Sequence, residues 1–183
     1  MKIICSKSSL LKSVSIALKA VPSKTTMPIL ECILMDATTN QIKFTTNDME
    51  LGIETIVEGT IEEKGKVALD AKIFYEIIRR LPDNDITIKT DDKYAATITC
   101  EKAKFNIPGK SGEDFAYLPM IEKDEPLTIS QYTLKEMIRQ TIFSIAVNEN
   151  NKLMTGELFE IKNNCLKGSF SGWTPYRYPK NAP

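Results

Sequence analysis

At 183 residues, with 42% hydrophobic and 26% charged positions, the chain has the length and balance of a folded protein with a substantial core. Lysine plus arginine equals aspartate plus glutamate at 24 each, which excludes a global basic field, so any nucleic-acid role must rest on where the charges sit. There is no histidine, no Cys-x-x-Cys pair and no apolar run near the roughly 18 to 20 residues of a membrane span, which weighs against zinc sites, histidine catalysis and membrane partners.

Cys5, Cys32, Cys100 and Cys165 are read as reduced, mostly buried thiols. The opening Met1-Lys2-Ile3-Ile4-Cys5-Ser6 lacks the apolar run of a secretory signal, so a cytoplasmic location is expected. No cofactor is expected.

Lys2 to Cys5 alternates like a short strand. A helix then runs from about Ser8 to Val21, with Leu10, Leu11, Val14, Leu18 and Val21 on one face and Ser8, Lys12, Ser15 and Lys19 on the other. After Pro28, strands at about 29–35 and 41–46 flank the turn-like Thr38-Thr39-Asn40, and 51–61 and 66–69 add two more. A second helix opens at the N-cap Asp70 and carries Ile73, Phe74, Ile77, Ile78 and Leu81 inward until Pro82 stops it, leaving Lys72, Tyr75, Glu76, Arg79 and Arg80 outside. Strands at 85–89, 94–100 and 104–107 follow, with Asp91-Asp92-Lys93 as a hairpin turn. The first unit is thus two helices backed by about eight strands, and 109–124, rich in glycine, acidic residues and proline, reads as a linker.

Leu10, Val14, Leu18 and Val21 recur as Leu134, Ile138, Ile142 and Ile145, 124 positions later. Without a gap, Ile29-Leu30 meets Leu153-Met154, Leu34-Met35-Asp36 meets Leu158-Phe159-Glu160, and Ile42-Lys43 meets Leu166-Lys167. One supersecondary unit appears twice. The expected division is 1–120 for the complete copy and 121–183 for an incomplete one that runs out of chain before its second helix.

Met1-Lys2-Ile3 leading to Leu10-Leu11, the turn Met27-Pro28-Ile29-Leu30, Thr46-Asn47-Asp48-Met49-Glu50 and Phe74 through Arg79-Arg80-Leu81-Pro82 stand in a specific order. They are followed by Gly112-Glu113-Asp114-Phe115-Ala116-Tyr117-Leu118-Pro119, by Phe143-Ser144-Ile145-Ala146 and by Thr155-Gly156-Glu157-Leu158-Phe159. Over about residues 1 to 167 this series resembles the bacterial DNA sliding clamp, the beta subunit of DNA polymerase III. The resemblance implies an α+β clamp fold, two helices against antiparallel sheets in each repeated domain. It also implies a non-enzymatic processivity factor: a homodimeric ring with helices lining a hole for duplex DNA, partnered by the replicative polymerase and the clamp loader. Sliding needs phosphate attraction and no base readout.

On that resemblance Lys24 and Arg79 are the leading DNA contacts, and the helical stripes add Lys12, Lys19, Lys72, Arg80, Lys135 and Arg139. Asn148 and Lys152 fall in a loop that faces DNA in clamps, although this stretch departs from the family pattern. Phe105 and Ile107 match positions that close the ring between protomers; a core strand would alternate in the same way.

The resemblance breaks at about residue 168, where clamps carry a strand ending close to Asp-Gly-His-Arg and this chain reads Gly168-Ser169-Phe170-Ser171-Gly172-Trp173. Taken one base later from Phe170, the genetic code permits Ser-Leu-Asp-Gly-His-Arg-Ile-Ala-Ile-Arg-Lys, so a frameshift is expected; the nucleotide sequence across codons 165 to 183 decides it. The tail, with three prolines and two glycines from Gly168 onward, reads as a poor strand. Without its second helix the second copy should leave Leu134, Ile138, Ile142 and Ile145 partly uncovered, and a chain without a third domain should not close the ring. A competing reading is a protein-interaction module that keeps the fold and no longer meets DNA; salt-dependent duplex binding separates the two. Asp91-Asp92 and Glu62-Glu63 are the available carboxylate pairs for a hydrolase, and both read as solvated charge in polar turns.

Overall fold

The computed structural model describes residues 1–117, 128–145, 152–162, 165–170 and 173–179, with backbone alone at 152–153, 161–162, 165, 167, 169–170 and 173–179. The chain divides into two compact units, Met1–Met120 and Ile121–Pro183.

In unit 1 the alternating opening residues form β1 (Lys2–Ser6), and Ser6 then caps α1 (Lys7–Ala17), its hydroxyl accepting the Ser9 amide. A 3-10 turn, Leu18–Ala20, ends the helix. There follow β2 (Cys32–Asp36), β3 (Ile42–Asn47), β4 (Gly52–Val57), β5 (Gly59–Glu63) and β6 (Lys66–Asp70). Asp70 closes β6 and caps α2 (Ala71–Arg80) by accepting the Ile73 amide at 2.8 Å. Then come β7 (Asp85–Thr90), β8 (Ala96–Cys100), β9 (Ala103–Ile107) and β10 (Gly109–Ser111). Two five-stranded sheets result, ordered β5-β1-β7-β8-β9 and β10-β6-β2-β3-β4, with antiparallel pairing throughout. Both contribute to one core that also takes Leu10, Val14 and Ala17 from α1 and Phe74 and Ile78 from α2. Phe44 and Phe74 meet edge to face there, 6.1 Å between ring centroids.

Among its described residues unit 1 therefore has ten strands, not about eight. The expected strand at 51–61 is two strands in different sheets, parted at Glu58, because β4 pairs β3 whereas β5 pairs β1. Gly59 makes the crossing: a Cβ there would stand 2.5 Å from the Ile4 carbonyl oxygen. The expected linker begins later than 109, since Gly109–Ser111 pairs with β6 and Phe115 is buried against Cys32, Leu34 and Ala68. Asn47, itself buried, donates to the Ala116 carbonyl at 2.7 Å and ties this segment down.

Unit 2 contains α3 (Gln131–Thr141), a 3-10 turn at Ile142–Ser144, another at Lys152–Thr155, and β11 (Leu158–Lys162), β12 (Cys165–Phe170) and β13 (Trp173–Pro179) in that sheet order. The 124-residue offset holds in backbone detail. Ser130 caps α3 through the Thr133 amide as Ser6 caps α1, and each helix ends in the same 3-10 turn at the shifted position. The pairs Leu34↔Thr45, Met35↔Phe44 and Asp36↔Lys43 reappear as Leu158↔Ser169, Phe159↔Gly168 and Glu160↔Lys167. The register then changes: Ile42 pairs with Val57, but Leu166 pairs with Tyr178. The proline-bearing tail nevertheless forms β13, contrary to expectation; as an edge strand it pairs on one side only, and the other side tolerates residues without an amide hydrogen.

Cys5, Cys32 and Cys100 are buried free thiols. Burial, aided by Asp85, pushes the Cys5 thiol up to about 11 from an ordinary 9.0. The folded state thus holds this proton more tightly, so its contribution to stability is complete below pH 9 and is lost as the pH rises toward 11. A Cys5→Ala chain should accordingly lose less stability between pH 9 and 11 than the unsubstituted chain in urea titrations; equal losses would contradict the assignment. Among the described residues, no helix is long and apolar enough to cross a membrane and no group of three acidic or cysteine side chains converges on a possible metal site.

Candidate nucleic-acid interface

Helices α1 and α2 touch each other and bury their apolar sides in one core, so their exposed sides are neighbours on one surface. Lys12 on α1, Lys19 in the turn after it, Lys24 in the following loop, and Lys72, Arg79 and Arg80 on α2 are all exposed. Ser8 is exposed beside them, while Ser15 is half-buried and donates to the Lys12 carbonyl at 2.8 Å.

The cations differ in their surroundings. Glu76 lies 2.8 Å from Arg79 and 3.4 Å from Arg80, and both arginines occupy the last turn of α2, where the helix dipole favours them. Such exposed pairs are worth about 0 to 1 kcal/mol, little enough for a phosphate to compete. Lys12, Lys19, Lys24 and Lys72 pair with no carboxylate among the described residues. Lys72 stands in the first turn of α2, where a cation opposes the dipole, so helix stability does not account for it.

In unit 2, Lys135 and Arg139 are exposed on α3, and Arg139 lies 2.8 Å from Glu136, holding that carboxyl below its usual range by hydrogen bonding. The backbone of Lys152 belongs to the 3-10 turn at Lys152–Thr155, and Asn148 lies outside the described residues.

The two expected interface residues part company. Phe105 is exposed, whereas Ile107 is 2% exposed and belongs to the core, although the two lie on one face of β9, because Phe105 stands beside the open groove next to α2. Ile73 is a second correction: it is 51% exposed, not inward. It joins Ile77, Phe105, Lys72, Glu76 and Arg80 around an apolar groove of about 360 Å³ between α2 and β9. The sequence held a signal for this groove, since Ile73, Phe74, Ile77, Ile78 and Leu81 span a wider arc than one core-facing stripe needs.

The carboxylate pairs are structural. Asp91 accepts the Lys93 and Ala95 amides at 2.9 Å, closing the β7–β8 turn, and Glu62 pairs with Lys2 at 2.6 Å. The Asn47-Asp48-Met49-Glu50 segment is likewise a turn. Asp48 accepts the Glu50 and Leu51 amides, and Met49 takes a φ of 74°.

The family model for the DNA polymerase III beta subunit, N-terminal domain, matches residues 1–119. The chain belongs to the DNA polymerase III beta subunit family. Among curated members, it is 34% identical to the beta sliding clamp of Bacillus subtilis over 174 residues, 91% of this chain and 46% of that protein. It is 35% identical to the beta sliding clamp of Synechocystis, covering 85% of this chain and 42% of the other. Among solved structures, a putative DNA polymerase III beta subunit of Eubacterium rectale superposes with a TM-score of 0.86 at 66% identity, covering 94% of this chain and 47% of that one. The Bacillus subtilis DNA polymerase sliding clamp gives 0.84 at 32% identity. The α+β clamp fold expected from the sequence is thus established, and the chain spans about half the length of the beta subunits it matches.

Proposed function

We propose that this chain is the part of a sliding clamp that carries one complete DNA-facing domain and the start of a second, and that it acts without catalysis. In the whole ring such a part would help tether the replicative polymerase to duplex DNA. The observation that carries the reading is the pair of adjacent helices α1 and α2, which with the turn and loop after α1 bear six exposed cations, of which, among the described residues, only Arg79 and Arg80 have an ion-pair partner, Glu76. Lys12, Lys19, Lys24 and Arg79 would meet phosphates, Lys72 and Arg80 would extend the track, and Lys135, Arg139, Asn148 and Lys152 would continue it in unit 2. None of these needs to read a base edge, which suits a protein that moves along DNA.

The groove between α2 and β9 supports a protein contact in the same reading: Phe105, with Ile73 and Ile77, offers the exposed apolar surface of a protomer interface, while Ile107, further along the same face of β9, stays in the core. As a free polypeptide the chain would hold DNA by phosphate attraction alone and not by topological closure.

The test is fluorescence anisotropy of labelled duplexes of two unrelated sequences, titrated with the chain at several salt concentrations. Equal affinities that fall steeply with salt are expected. Absence of binding at low salt would favour the protein-interaction module instead.

A further inference from the structure

The two most exposed large apolar side chains among the described residues are Tyr132 and Phe143, each at 76%. Tyr132 stands in the first turn of α3, and Phe143 lies in the 3-10 turn that ends it. At 3.6 residues per turn and 1.5 Å per residue, the eleven positions between them bring the side chain back to nearly the same line, about 17 Å along the axis. Lys135 and Arg139, both exposed, fall between the rings on that side. Glu136, 2.8 Å from Arg139, and after it the phenol of Tyr132 favour the charged guanidinium, so ring and cation share one neighbourhood. The repeat shows that this exposure belongs to the helix face itself. In the complete unit 1 the counterparts of Tyr132 and Phe143 at the 124-residue offset are Ser8 and Lys19, and both are exposed there too. Unit 2 thus carries rings where unit 1 carries a hydroxyl and an amine.

Neither ring serves the helix, because aromatic residues lose side-chain freedom there and these two bury little in return. Flat apolar rings with cations between them fit a ligand that offers flat apolar faces and regularly spaced negative charge. We infer that the exposed side of α3 holds single-stranded nucleic acid, its unpaired bases stacking on Tyr132 and Phe143 while Lys135 and Arg139 meet the phosphates between them. In a duplex each base face is covered by its neighbour, whereas an unpaired base presents its π-face to any aromatic side chain, whatever the sequence. A separation of about 17 Å spans about five nucleotides at ~3.4 Å each along one strand. The inference rests on the reading of Lys135 and Arg139 as phosphate contacts and adds to it the form of nucleic acid that unit 2 selects.

The experiment titrates the full 183-residue chain against a labelled oligothymidine about 12 nucleotides long, an abasic strand of equal length and a duplex, at low salt, by fluorescence anisotropy. The abasic strand keeps the phosphates and lacks the bases, so the unsubstituted chain should bind it at least about fivefold more weakly than oligothymidine. Tyr132→Ala and Phe143→Ala should each weaken oligothymidine binding by at least about fivefold, with more lost when they are combined. Their affinities for the abasic strand and the duplex should be unchanged, and Tyr132→Phe, which keeps the ring, should bind oligothymidine like the unsubstituted chain. Equal affinity for the abasic and thymidine strands would overturn the proposal, as would an undiminished affinity for oligothymidine in the combined variant. If light scattering showed that the combined variant lost only a self-associated species, the rings would belong to contact between copies, which also overturns it. Duplex binding that persists in any of these cases leaves the phosphate contacts standing, whereas absence of binding to every strand form removes those contacts as well.

Discussion

Replacing Phe74 with alanine is expected to cost about 3 to 5 kcal/mol of unit 1 stability, the range for deleting a large aromatic side chain from a close-packed core. Phe74 is fully buried, meets Phe44 edge to face and links α2 to the sheet that contains β2 and β6. Truncation removes its transfer free energy and leaves a space that neighbours on stiff strands fill poorly. For a domain of this size the unfolding midpoint should fall by at least about 10 °C. The control lies one residue away. Ile73 is half exposed at the groove, and Ile73→Ala should cost less than about 1 kcal/mol. Thermal unfolding of the two variants checks the orientation of α2; comparable losses would mean that the helix is rotated about its axis and buries Ile73 as deeply as Phe74.

Replacing Lys12, Lys19, Lys24 and Arg79 together by alanine is expected to remove most duplex binding. Each phosphate contact contributes about 0.9 to the slope of log affinity against log salt, so losing four should flatten that slope by about 3 to 4. Four such contacts correspond to roughly 100-fold in affinity between 50 and 200 mM salt, and that share of the dependence should be lost in the variant. All four side chains are exposed and none belongs to the core, so the melting temperature should change little. Retained affinity with an unchanged slope would show that other cations carry the binding. The Arg79→Ala part also frees Glu76 from its shortest pairing, which strengthens the negative charge on the same face and deepens the loss.

The most legible feature of the sequence was the repeat, because helix caps and strand pairs leave residue-type marks. Ser6 and Ser130 cap their helices, and Leu34 and Leu158 hold their strands in register, at one and the same offset. Less legible was whatever depends on which sheet a strand joins. The alternation from Leu51 to Ile61 runs on through Glu58, and only the close approach of Gly59 to β1 reveals the crossing. Strand β10 was hidden inside an apparent linker because three residues are too few for a period. On α2 the number of apolar residues was clear, but not that Ile73 would face solvent while Tyr75 packs against the core. For the candidate interface, the spacing of Lys12 and Lys19 marked an exposed helical stripe and no more, and family membership is what turns that stripe toward DNA. Ile107 and Phe105 could not be separated by pattern, since a half-buried edge strand and a wholly buried one can carry the same alternation.

Whether the α1–α2 side of unit 1 faces duplex DNA is tested most directly by amide chemical-shift mapping of the isotopically labelled chain with two unrelated duplexes of equal length. One common set of shifts is expected at Ser8, Lys12, Lys19, Lys24, Lys72 and Arg79, reversed by salt. Shifts confined to the β7–β8 strands, or different residues responding to each duplex, would contradict a DNA-facing helical surface.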